Sequence, residues 1–199
     1  MYVRPVIPSL EFREDSGAVI PYGERWGMAG PREDTYSVTA HPERFAPLHD
    51  VAHALMDSLG VEPTEGGAVF GPLGPQQSLR FDPPNADAAP IVIALTEFPG
   101  VRVRAGAYYS AAFPTCGCDA CDEGLLDMVE QLERAVFAIL DGRFSESVSG
   151  AWLAQSIEFD DGSSSGRTLV ENALPPLDGR DGAPLEPRAW EPWAPGLLG

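Results

Sequence analysis

The chain has 199 residues, 44% of them hydrophobic, and a formal charge of −17 from 30 acidic and 13 basic side chains. That is enough chain and apolar content for one domain with a real core. The charge repels phosphate backbones and anionic membrane surfaces, which argues against nucleic acid or membrane as a partner.

Every basic residue is Arg, so neither a Schiff-base lysine nor a P-loop lysine is available. The opening stretch MYVRPVIPSLEFRED has no apolar run long enough for a signal peptide. The longest apolar run, Ala89–Leu95, is far too short to cross a bilayer. A cytoplasmic setting is expected, where an odd cysteine count also argues against a structural disulfide. Partners are then an unknown protein or small molecule.

Residues 1–35 carry Pro5, Pro8, Pro21 and Pro31 without a clear period and predict an irregular arm. A short extended piece is expected at Ala18–Tyr22, with Tyr22, Trp26 and Met28 docking parts of the arm on the domain. The domain itself is expected over residues 36–170. Pro42 suits a short turn over 42–46, and Pro47 opens a helix to about Leu59, stopped by Gly60. Leu48, Val51, Ala52, Leu55 and Leu59 form one apolar stripe on it.

A Gly/Pro-rich loop follows from Val61, then a short strand at Ser78–Asp82. PIVIALTEF predicts a central strand. Pro99–Gly100 fits a type II turn into VRVRAGAYYS, whose alternation predicts one strand over residues 101–110. The segment FPTCGCDACDE leads into the strongest amphipathic pattern, a helix ending near Gly142, with Asp119 as N-cap and Asp122 and Glu123 in its first turn. SGAWLAQSIEFDDGSSSGRTLV predicts a second hairpin with DDGSSSGR as its loop. Residues 171–199 hold six prolines and predict a disordered or loosely docked tail, which Trp190 and Trp193 can anchor on its own domain. The class is α+β: an antiparallel sheet of about five strands with two helices on one face.

The chemistry concentrates in Cys116, Cys118 and Cys121, spaced C-x-C-x-x-C. Three such thiols can bind one Zn²⁺ if a fourth ligand comes from elsewhere. His49 and His53, four apart on the first helix, are the candidates. HDVAH lacks the glutamate of a zinc-protease motif. Cys118 and Cys121 also form a C-x-x-C, the pattern of a thiol redox pair. The third reading is that the thiols pack a turn. Arg102 and Arg104 share a strand face and can contact an anion. No catalytic constellation is complete. A non-catalytic binding or interaction module follows, with a Cys/His structural zinc protein and a thiol redox protein as alternatives.

The stretch TEFPGVRVRAGAYYSAAFPTCGCDACDE, together with ERFAPLHDVAHAL, LDGRFSES and DGSSSGR, resembles an uncharacterised family of actinobacterial proteins, a domain of unknown function. The resemblance spans Tyr36 to Arg167. It implies no activity, cofactor or catalytic residue.

Overall fold

In the computed structural model, residues 1–67, 75–179 and 185–193 are described, 75–77 by their backbone alone. The expected loop from Val61 and the tail fall partly outside those residues. A proline at a first helical turn loses no hydrogen bond, and both expected starts occur: a 3₁₀ turn at Pro42–Phe45 and helix α1 at Pro47–Ser58. Helix α2 spans Leu125–Leu140.

The five-stranded antiparallel sheet runs in chain order: β1 (Thr64–Glu65), β2 (Pro75–Phe81), β3 (Ile91–Thr96), β4 (Gly100–Ala105) and β5 (Tyr109–Phe113). Ile91, Ile93 and Leu95 of β3 and Val101 and Val103 of β4 share one face. They meet Leu48, Val51 and Leu55 of α1 and Val129, Leu132 and Val136 of α2 in the main core. Val92 and Ala94, one residue out of phase, are buried on the opposite face under Leu177.

Two sequence expectations are revised for tertiary reasons, the single strand over 101–110 and the place of the second hairpin. Residues 101–110 are not one strand, because a turn at Gly106–Tyr108 separates β4 from β5. The Glu146 carboxylate occupies that turn, accepting from the Ala107 N–H at 2.5 Å and the Tyr108 N–H at 3.0 Å. Gly106 has φ +57°, and a Cβ there would stand 2.4 Å from Glu146 Oε1, so only glycine fits.

The expected second hairpin forms, Trp152–Phe159 against Gly162–Leu169, but with a longer second strand and within a separate four-stranded sheet, ordered β8-β7-β6-β9. Its strands are β6 (Phe144–Ser149), β7 (Trp152–Phe159), β8 (Gly162–Leu169) and β9 (Leu185–Ala189). GSSSG belongs to β8 rather than to a loop, with Ser163 opposite Glu158 and Ser165 opposite Ser156. Every residue of β8 through Thr168 is exposed, so no hydrophobic alternation marks it.

The segment beyond residue 171, expected to be anchored by Trp190 and Trp193, docks on the domain over its described residues. It supplies β9, which pairs with β6, and two tryptophans that close the core. The Trp193 indole N–H donates to the Ala89 carbonyl at 2.7 Å, and its backbone N–H to the Leu140 carbonyl at 2.9 Å. The Trp190 indole N–H donates to Glu146 at 3.2 Å. At the other end the arm also docks: the Arg4 Nε donates to the buried Glu133 of α2 at 2.8 Å, and Tyr2 stacks edge-on against Phe137. Among the described residues no helix is long and apolar enough to cross a membrane.

Two predictions test the closing segment. Trp193 is 2% exposed, so Trp193→Ala is expected to cost about 3–5 kcal/mol in urea unfolding, the range for a buried large aromatic. An unchanged midpoint would show that residues 185–193 leave the core in solution. Burial pushes the Glu146 carboxyl up, while the Ala107, Tyr108 and Trp190 donors pull it down and Asp178 adds to the rise; the net direction is up. A carboxyl raised in the folded state binds its proton more tightly there, so its contribution is full below its unfolded pKa and is lost as pH rises through the folded value. The stability difference between wild type and Glu146→Gln, which cannot titrate, therefore shifts toward wild type on acidification from pH 7 to pH 5. A gap that stays constant with pH would contradict this.

Candidate functional site

The cysteines lie in the segment that links β5 to α2, outside both elements. Phe113–Pro114, at its start, is a cis peptide. The segment is short, irregular and polar, so its backbone groups must find partners outside regular structure. Glu123 supplies three of them, while Asp119 and Asp122 reach out to other segments. Glu123 accepts from three successive N–H groups: Thr115 at 2.7 Å, Cys116 at 3.1 Å and Gly117 at 2.6 Å. Asp122 accepts from the Gly23 and Arg25 N–H groups of the arm at 3.0 and 2.6 Å. Asp119 is buried, accepts from the Ala40 N–H at 3.3 Å, and lies 3.6 Å from both Arg25 and Arg44.

These contacts revise the expected capping. The N-cap of α2 is Gly124, with no side-chain cap. Glu123 serves the backbone of the cysteine loop, and Asp119 the Ala40 N–H, Arg25 and Arg44; neither caps the helix. The loop's own carbonyls are answered as well. Gly117 O accepts from the Thr39 hydroxyl at 3.1 Å and from the Arg44 guanidinium at 3.0 Å. Gly117 has φ +79°, and a Cβ there would stand 2.7 Å from the Phe98 ring. The Asp119 N–H donates to Val38 O and the Ala120 N–H to Thr35 O, so the arm and the loop are laced together.

Within this frame the three Sγ atoms lie within 4.8 Å of one another. Cys118 is buried; Cys116 and Cys121 are exposed. Partial burial pushes the Cys118 thiol up. The Cys121 N–H, the Cys116 and Cys121 thiols and the Ser37 N–H outweigh that and bring it down to about 7. The Cys121 thiol goes the other way, to about 12, because it serves Cys118 and Cys116 as a donor, is partly buried, and faces the charge of both. Among the described residues, only Ser37 (φ 59°) and Asp122 (φ 51°) are non-glycine residues with positive φ. One donates to Cys118 and the other adjoins Cys121. Strained backbone persists only where surrounding contacts over-determine it.

The histidines are placed elsewhere. His49 is half-buried, with Nε2 3.1 Å from Gly100 O and 3.3 Å from Gly100 N. His53 is exposed. The cluster of candidate metal ligands contains the three cysteines and neither histidine. Arg102 and Arg104 lie on one face of β4, opposite Ala94 and Val92, but differ in burial. Arg104 is buried, donating to Pro175 O at 2.5 Å. Arg102 is half-buried and lines a cleft of about 560 Å³ that Cys116 and Cys118 also line.

A match to a family model, described as a family of unknown function (DUF6226), covers residues 8–196. It extends well beyond the stretch 36–167 that carries the sequence resemblance, and includes most of the arm and the closing segment. No curated protein and no solved structure matches the chain. The chain belongs to this family of unknown function, DUF6226.

Proposed function

We propose that the protein is a metal-binding module in which Cys116, Cys118 and Cys121 hold one thiophilic cation, Zn²⁺ first. The observation that carries this reading is the convergence of three sulfurs within 4.8 Å. A tetrahedral ion with 2.3 Å Zn–S bonds needs sulfurs about 3.8 Å apart, so small rotations close the set. The exposure of Cys116 and Cys121 leaves a route for the ion. Two N–H groups directed at Cys118 favour its thiolate, the form that binds metal. Packing alone does not account for the arrangement, since two of three thiols face solvent and so contribute little burial.

The cysteines form the ligand set in this proposal, and His49 stays with Gly100. The test is metal analysis of protein purified without an affinity tag, followed by Co²⁺ titration. One metal per chain is expected, with the three thiols protected from a thiol reagent. Cys118→Ser is expected to weaken binding by more than about a hundredfold, beyond the range for outer-shell contacts. Glu123→Gln is expected to weaken it by about tenfold through the loop. His49→Ala and His53→Ala should leave it unchanged. Sub-stoichiometric metal with all three thiols freely reactive would remove the proposal. Rapid formation of a Cys118–Cys121 disulfide in that metal-free protein would favour thiol redox chemistry in its place.

A further inference from the structure

We infer that the outer edge of β8 is an interaction surface for a second copy of this chain, the two copies pairing antiparallel about a two-fold axis at Ser164. The inference is independent of the metal reading. A strand at the end of a sheet presents unpaired N–H and C=O groups, and native folds blunt such edges by shortness, Pro, charge, bulges or cover. Among the described residues the two sheets end in four strands, β1, β5, β8 and β9. β1 is two residues long. β5 is mostly half-buried, and Pro114 follows directly. β9 carries Glu186, Pro187 and Arg188 and meets β6 with a register shift. β8 is different. It is eight residues long, is exposed through Thr168, and pairs with β7 without a register shift. From Gly162 to Gly166 it holds no proline and no charge.

The second argument selects the occupant. A foreign strand added to a sheet edge is chosen by pockets that take its alternate side chains, and an edge of Gly and Ser offers none. A second copy needs none. Gly162-Ser163-Ser164-Ser165-Gly166 reads the same in both directions. Antiparallel pairing about Ser164 therefore sets Ser164 against Ser164, Ser163 against Ser165 and Gly162 against Gly166. Facing hydroxyls can hydrogen-bond across the strands, and no like charges are opposed. Paired residues also share a face, because their numbers differ by an even count. Ser164, opposite the buried Ile157, lies on the core side, and Ser163 and Ser165 lie on the other. One contact satisfies the open edges of both copies and makes their four-stranded sheets continuous.

The third argument sets the strength. Gly and Ser bury little apolar area, so main-chain hydrogen bonds hold the contact and it is weak. Each copy carries a charge of −17, which opposes association until salt screens it.

The experiment is sedimentation velocity of the full-length protein, with chelator and reductant present so that exposed cysteines cannot bridge copies. A monomer–dimer equilibrium is expected between about 5 μM and about 500 μM, the range of a weak contact. It should be about tenfold tighter in about 0.5 M NaCl than in about 0.05 M. Amide exchange of β8 should slow as the dimer forms. Ser164→Lys reduces the net charge of the chain, yet it sets like charges opposite one another on the axis and is expected to weaken the dimer about fivefold. Ser164→Glu should do the same, and an equimolar mixture of the two variants should dimerise at least as tightly as wild type. Wild type that stays monomeric throughout, or a dimer whose β8 amides exchange no more slowly than the monomer's, would overturn the inference. So would variants that dimerise like wild type, or a mixture no tighter than either variant alone. The wild-type measurements decide the matter without the variants, should these fold poorly.

Discussion

The Arg44 guanidinium is 2% exposed, and a charge so placed must be answered by protein groups. It donates to His41 O at 3.0 Å and Gly117 O at 3.0 Å, faces Asp119 at 3.6 Å, and lies over the Tyr22 ring at 4.1 Å. Burial works against its charge, while Tyr22, Asp119, Asp122 and Glu123 support it. The partners come from the arm, from the lead-in to α1 and from the cysteine loop. Removing one partner leaves a buried charge uncompensated, which costs far more than the intact pair contributes. Three segments distant in sequence are therefore held in one arrangement by a single side chain. The positions of the sulfurs inherit that arrangement, because Gly117 sits between Cys116 and Cys118.

A second buried charge does the same work at the opposite end. Glu146 reaches from β6 to the β4–β5 turn and to Trp190 of the closing segment. It joins the five-stranded sheet to the four-stranded one. Trp193 then seals the space among Ala89, Leu140 and the main core. Both sheets are antiparallel and share α2 between them. The molecule thus has one principal core and two polar clasps, each built on a buried ionic side chain that meets backbone groups. The arm completes the first clasp and the closing segment the second, and the family match extends across most of both.

Much of this was legible where burial imposes a period. Leu48, Val51, Ala52 and Leu55 marked α1, and Leu132, Val136 and Ile139 marked α2, because each places one face on the core. The unbroken run of β3 marked a strand buried on both sides. The sequence is silent where the partner of a residue is polar and remote. Gly106 and Ala107 fit an alternating strand until Glu146, forty residues on, is placed in the turn. Ser163–Gly166 carry no hydrophobic signal because β8 is a solvated edge. Asp119 and Glu123 stand just before α2, where helix-dipole reasoning takes them as caps; the backbone of the cysteine loop takes Glu123, and the Ala40 N–H with Arg25 and Arg44 takes Asp119. The local clue was the density of acids around three cysteines, more than one helix start needs. The cysteine cluster itself was visible from spacing. The separation of His49 from it was not, since a helical face does not tell which loop it meets.

The local spacing of the cysteines has a thermodynamic consequence. A metal stabilises a fold to the extent that it binds the native state better than the unfolded chain. In small zinc domains the ligands are distant in sequence, so the unfolded chain chelates poorly and binding drives folding. Here all three sulfurs belong to residues 116–121, and the unfolded chain keeps most of its chelating capacity. Little of the proposed ion's binding energy would then reach the fold. What folding adds is orientation: Ser37 and Cys121 N–H groups on one sulfur, Glu123 on the backbone, and Arg44 on the Gly117 carbonyl. Around the proposed ion such outer contacts would tune affinity. The buried Cys118 and the solvent-facing Cys116 both border the cleft, so the fold holds the sulfurs where the packed loop meets open space.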